Sequence, residues 1–157
     1  MTRTPLSIDA VEERAQAIVA APDAALRAAP LQTAAEMLAM GEDVLEAWLA
    51  AKGLEPTDRK VEGFRLLGLH RQAAKGDPSF NACRETCREL VWHHNLVAAD
   101  PAGPDTPRTL RMGAMVLTHL ALFIGGKLQT AGLGEFCCSS RPLRAAEPSR
   151  NEPVLET

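Results

Sequence analysis

Between Phe80 and His94 the chain reads Phe-Asn-Ala-Cys-Arg-Glu-Thr-Cys-Arg-Glu-Leu-Val-Trp-His-His, which holds two of its four cysteines and two of its four histidines. Wound as a helix, this stretch puts Cys83 and Cys87 one turn apart, with Cα atoms about 6 Å from each other. They share a stripe with Phe80, Leu90 and His94. Two thiolates on one side of an ion suit zinc, which asks for four ligands in a tetrahedron, or copper(I), which accepts fewer. Iron is the third candidate, through imidazole. His94 falls about 10 Å beyond Cys87 along the helix axis, so a ligand set needs donors from elsewhere. His70, His119, Cys137 and Cys138 are the candidates.

Three other readings compete with the metal. Free cysteine behaves as a small buried hydrophobe, and Cys-x3-Cys is less specific than paired Cys-x2-Cys knuckles. A disulfide within one regular helix turn is awkward, because the Cβ vectors run nearly parallel. Cys137-Cys138, just past Gly134, are adjacent thiols that can oxidise or bind a soft ion when exposed. His119, set among Met112, Met115, Val116, Leu122 and Phe123, reads as a hydrogen-bonded core histidine or a ligand. The methionines at 37, 40, 112 and 115 read as core fillers.

No enzyme signature is present. The sequence lacks a glycine-rich phosphate loop, a Gly-x-Ser-x-Gly elbow and a His-Glu-x-x-His pair. Glu89 and His93 do not make the paired Glu-x-x-His of a di-iron bundle. Lys75-Gly76-Asp77-Pro78, followed by Ser79, Asn81, Arg84 and Arg88, is loosely like a helix-turn-helix. Glu85, Glu89 and the net charge of −3 argue against nucleic acid.

The elements that must position these residues are helical. Ala and Leu dominate the 46% hydrophobic content, aromatics are 4% and tyrosine is absent, which disfavours sheet. Ser7 is placed to cap a helix over Ile8 to Ala20, and Asp23 to Ala29 forms a short turn. Thr33 to Glu36 matches a capping box for a helix ending near Lys52. Thr57 is placed to cap a fourth helix through Val61, Phe64 and Leu67 to Lys75, in which Gly63 and Gly68 require a tightly packed neighbour. Asp77-Pro78 starts the cysteine helix, which runs to Ala99. The helix from Arg108 to about Thr130 is the most apolar, and reads as the central element or a partner interface.

The expectation is an all-α antiparallel bundle of four long helices plus a shorter N-terminal one. Residues 1–138 form the domain, and 139–157 a disordered polar tail. The N-terminus lacks a secretory pattern, and the apolar run from Met112 to Gly126 falls short of the roughly 20 residues of a membrane span. The location read from this is cytoplasmic, where thiols stay reduced. The function read from it is an accessory or regulatory protein, with a transition metal at Cys83 and Cys87. The alternatives are a metal-free module that docks a protein partner or forms a homo-oligomer, a thiol redox sensor, and a DNA binder.

Overall fold

A computed structural model describes residues 3–77 and 80–132, the side chain of Ala82 excepted. Within them the chain is all-α. Its helices are α1 (Ile8–Ala20), α2 (Asp23–Ala28), α3 (Pro30–Ala51), α4 (Arg65–Ala74), α5 (Asn81–Ala99) and α6 (Thr106–Ala131). Among the described residues the β structure amounts to one bridge between Val61 and Phe64. Residues as far as Ile124 form one compact unit, and a second begins at Gly125, of which 125–132 are described. The expected tail and Cys137-Cys138 lie outside the described residues, as does Pro78.

Local signals explain most boundaries. Ser7 Oγ accepts the Ala10 amide at 3.1 Å and caps α1, whose Val11, Ala15 and Ile18 are buried. The helix α3 departs from expectation because it starts at Pro30, three residues ahead of the capping box. Proline at the first helical position is pre-set for the turn. Thr33 is therefore inside the helix, where its hydroxyl donates back to the Ala29 carbonyl at 2.9 Å.

The larger correction lies at 57–64, expected as helix and found as a loop. Glu62 and Gly63 both take positive φ, 55° and 87°, between Val61 and Phe64, which exchange two backbone hydrogen bonds of 3.0 and 2.9 Å. Two consecutive left-handed residues end any helix and make a tight reversal. Thr57 Oγ1 accepts only the nearby Arg59 amide, and α4 starts at Arg65. The loop then lies across α4 at Gly68, where a Cβ would come within 2.0 Å of the Arg59 carbonyl oxygen. That close approach is the neighbour the glycine requires.

The helix α3 is the axis of the first unit, in contact with α1, α2, α4 and α5. Met37, Met40, Val44, Leu45, Trp48 and Leu49 are buried along it. Its buried Asp43 receives Arg3 Nη1 at 2.9 Å and the Leu6 amide at 3.0 Å, which straps the N-terminal segment onto the helix. Arg65, at the start of α4, pairs with Glu42 at 3.2 Å and with Glu46, and donates to the Thr57 carbonyl at 2.9 Å.

The role expected for the apolar last helix changes accordingly. Leu110, Leu117, Leu120, Ala121 and Ile124 of α6 are buried, and a Cβ at Gly113 would stand 3.0 Å from Met37 Cε and 3.4 Å from His93 Cβ. Met112, Met115 and Leu122 are nevertheless 44%, 59% and 58% exposed, and His119 is exposed beside them. Met112 and Met115 are thus not core fillers, whereas Met37 and Met40 are. By length and composition α6 is the one described helix that is apolar enough to cross a membrane, and 44% of its most apolar window is buried within the fold.

Gly68→Ala is expected to lower unfolding free energy by about 3 kcal/mol, as overpacking against rigid backbone does. Urea unfolding checks this through the midpoint at unchanged slope. A loss below about 1 kcal/mol would show that the 55–64 loop yields without cost.

Candidate functional site

Phe80 ends the link into α5, and its fully buried ring is a junction of the core. It lies 5.2 Å from Trp48 of α3, 6.1 Å from Phe123 of α6 and 6.3 Å from His70 of α4, centre to centre. Its backbone carbonyl accepts a hydrogen bond from His70 Nε2 at 2.8 Å. That bond fixes the proton on Nε2 whenever the ring is neutral. Three residues on, Cys83 is the third residue of α5, and Cys87 follows one turn later. Both thiols are free, 2% and 0% exposed, and His70 is 7% exposed.

The three groups interact. The Cys83 thiol is pulled down to about 6, first by its hydrogen bond with Cys87, against the cost of burial, and then by His70. Cys87 moves the other way, well above the ordinary thiol range, because its S–H donates a hydrogen bond to Cys83 and because it is buried. Burial pulls the His70 imidazolium down, but Cys83 and the Phe80 carbonyl outweigh it, and the net shift is upward although Arg84 opposes it. These shifts favour the thiolate at Cys83 at neutral pH, with Cys87 keeping its proton as the hydrogen-bond donor and His70 raised beside them. The first turn of α5 adds its partial positive charge.

The other residues singled out from sequence go elsewhere. His94 is half-buried, with its ring edge-on to Phe64 at 5.9 Å and Nδ1 3.2 Å from Asn95 Oδ1. His119 is exposed on α6, so it is no core histidine. Cys137 and Cys138 are outside the described residues. Among the described residues no three His, Cys, Asp or Glu side chains are arranged to hold a metal ion. Of the expected donors that lie among the described residues, the fold brings His70 alone to the paired cysteines.

Two features escaped the sequence reading. His93 is buried, its Nδ1 donating to the Glu89 carbonyl at 2.7 Å, while Nε2 has no hydrogen-bond partner among the described residues. The second is a cleft of about 400 Å³ lined by His70 and Arg71 of α4, Lys75 just past its end, and Arg84 and Arg88 of α5. Arg84 and Arg88 are four apart in α5, a spacing that puts them on one face. That spacing was visible in the sequence, but the shared cleft with Arg71 and Lys75 was not. Comparison with family models, with curated proteins and with solved structures found no match.

With Cys137 and Cys138 replaced by serine, ultraviolet thiolate absorbance is expected to titrate as one thiolate with a midpoint of about 6. His70→Ala should raise that midpoint by about one unit or more, since it removes a group that favours the anion. A midpoint in the ordinary range near 8.5, unmoved by His70→Ala, would refute the pairing. The same shift predicts pH-dependent stability. Between about 6 and about 8.5 the unfolded chain keeps a proton that folded Cys83 has released, so this contribution grows with pH and is lost as pH falls through about 6. His70, raised, contributes fully below about 6.5 and loses its share as pH climbs through its folded value. The thiolate's share of the stability difference between wild type and Cys83→Ala, measured by denaturant titration, should therefore shrink as pH falls through about 6, leaving the pH-independent loss of packing.

Proposed function

We propose that this is a regulatory helical protein whose Cys83 is a redox-responsive thiol, with His70 as its activating partner and Cys87 as the second thiol. The observation that supports the reading is the cluster of two free buried thiols, Cys83 and Cys87, with buried His70 at the start of a helix, where the Cys83 thiol is pulled down to about 6. A structural cysteine in hydrocarbon keeps its proton and is inert, whereas a sensor thiol is an anion at neutral pH.

The chemistry requires a two-electron oxidant, taken here as a hydroperoxide. The Cys83 sulfur attacks the terminal peroxide oxygen, the O–O bond breaks, and the leaving alkoxide takes the proton held at His70. Cys83 is then a sulfenic acid. Cys87 attacks its sulfur, a disulfide forms, and the sulfenic oxygen leaves as water with the Cys87 proton. Sulfurs one turn apart have Cα atoms about 6 Å from each other, within the span a disulfide bridges, but the parallel Cβ directions must be broken. Cys83 lies in the first turn of α5, where unwinding costs few helix hydrogen bonds. Oxidation thereby loosens the link that carries Phe80 into the core, a redox signal turned into a change of packing.

The test treats the Cys137/Cys138→Ser protein with limiting hydroperoxide at pH 7 and maps the product by mass spectrometry. A Cys83–Cys87 disulfide is expected, reversible by dithiol, with Cys87→Ser arrested at sulfenic acid and His70→Ala slowed about tenfold as thiolate is lost. Unmodified Cys83 after exposure sufficient to oxidise methionine would sink the proposal. Metal analysis of the same protein, purified under reducing conditions, separates the ion-holding role. A stoichiometric zinc, copper or iron lost on Cys83→Ala would replace the redox reading with that one.

A further inference from the structure

The cleft between α4 and α5 concentrates cations in a chain whose net charge is −3. Arg71, Lys75, Arg84, Arg88 and His70 line it, and the rest of its lining is apolar. Arg88 alone among the four is ion-paired within the described residues, donating to Glu62 Oε2 at 2.8 Å and Oε1 at 3.2 Å. Glu62 is pulled below the ordinary carboxylate range first by Arg88, with Arg71 and Arg84 adding to it, so one carboxylate answers to three guanidiniums. Glu85 is the other carboxylate felt by Arg88. Like charges gathered around a concavity repel one another, and the arrangement costs stability unless something anionic is drawn in.

Glu62 is placed there at a cost. It has φ of 55° in the two-residue turn between Val61 and Phe64, a conformation taken readily by glycine or asparagine and by few other residues. The neighbouring Gly63 has the glycine such a turn calls for, and Glu62 does not. The strained residue is the one whose carboxylate sits on Arg88, and backbone strain of that kind persists where the surroundings hold it.

We propose that the α4–α5 cleft binds a small phosphorylated metabolite, and that Glu62 is its internal competitor for Arg88. Guanidinium forks match phosphate oxygens in pairs, and Arg84 and Arg71 make no hydrogen bond or ion pair among the described residues that would have to be broken first. A volume of about 400 Å³ admits a phosphate group with a small organic body over the apolar lining. Entry of the ligand moves the Glu62 carboxylate off Arg88 and frees the fourth cation. The proposal does not rest on the redox reading, since neither thiol lines the cleft, although His70 borders both.

Isothermal titration of the full chain with inorganic pyrophosphate, and separately with citrate, tests the proposal. Saturable one-to-one binding of pyrophosphate is expected, tighter than that of citrate, and weakened as salt rises. Glu62→Gln should tighten it about tenfold and Arg84→Gln weaken it about tenfold, each the worth of one charge-assisted contact. Glu62→Gly removes the competitor and the strain together, and should match or exceed Glu62→Gln. Absence of saturable binding in both wild type and Glu62→Gln overturns the site. Binding indifferent to Arg84→Gln overturns the placement, and preference for citrate overturns the phosphate class.

Discussion

One hydrogen bond, from His70 Nε2 to the carbonyl of Phe80, governs how the rest of the site is built. It ties the middle of α4 to the residue that leads into α5, and it does so beneath a fully buried aromatic ring. A backbone carbonyl at that point lies just outside the helix ladder and needs a donor, because burying it unpaired would cost about 1–3 kcal/mol. The histidine supplies the donor and in return is held in one orientation. That orientation brings the ring to the Cys83 thiol, where it adds to the larger effect of the Cys87 hydrogen bond in lowering the thiol, and it places His70 in the lining of the basic cleft.

The helical class was legible because it rests on periodicity and composition, which are local. The first helix and the end of α5 were legible for the same reason, from Ser7 and from Asp100-Pro101. The segment from Thr57 to Phe64 was not, because its hydrophobic spacing fits a helix while Glu62 violates the preferences of its own backbone conformation. A sequence rule expects glycine or asparagine there, so the turn shows only where tertiary contacts enforce it. The role of α6 was only half legible: its apolar length suggested a central element or a partner interface, yet α3 is the helix in contact with α1, α2, α4 and α5, and Met112, Met115, His119 and Leu122 form an outward row on α6. Periodicity gives the faces of a helix and leaves open which face has a neighbour.

The same limit separates Cys83 from Cys87. They are one residue type, one turn apart on one helix, and their proton affinities move in opposite directions. Nothing in Cys-x3-Cys distinguishes them. The difference comes first from the hydrogen bond between them, in which Cys87 is the donor, then from the depth of Cys87 and from His70, which reaches Cys83. Two adjacent thiols in a poorly solvating site share their protons as a pair, and the first proton leaves from the sulfur with the second supporting neighbour. The sequence reading named the two cysteines together with His70, His94, His119, Cys137 and Cys138 as donors to an ion. Of the donors among the described residues, His70 is the one that meets the pair.

The first turn of α5 serves two surfaces at once. Consecutive helical residues point about 100° apart, so Cys83 enters the core while Arg84 lines the cleft. The two sides are joined through His70, which touches the thiol and borders the cleft. Arg84 lowers the proton affinity of His70 while Cys83 raises it. The protonation of the ring therefore registers the charge on both sides, and any neutralisation of Arg84 strengthens the imidazolium and with it the thiolate. An anion held in the cleft would act in that direction, whereas loss of the Arg88–Glu62 pair alone would return positive charge to the wall and act against it. The thiol is shut away from solvent, yet its electrostatic state is set partly by what occupies a surface that solvent reaches.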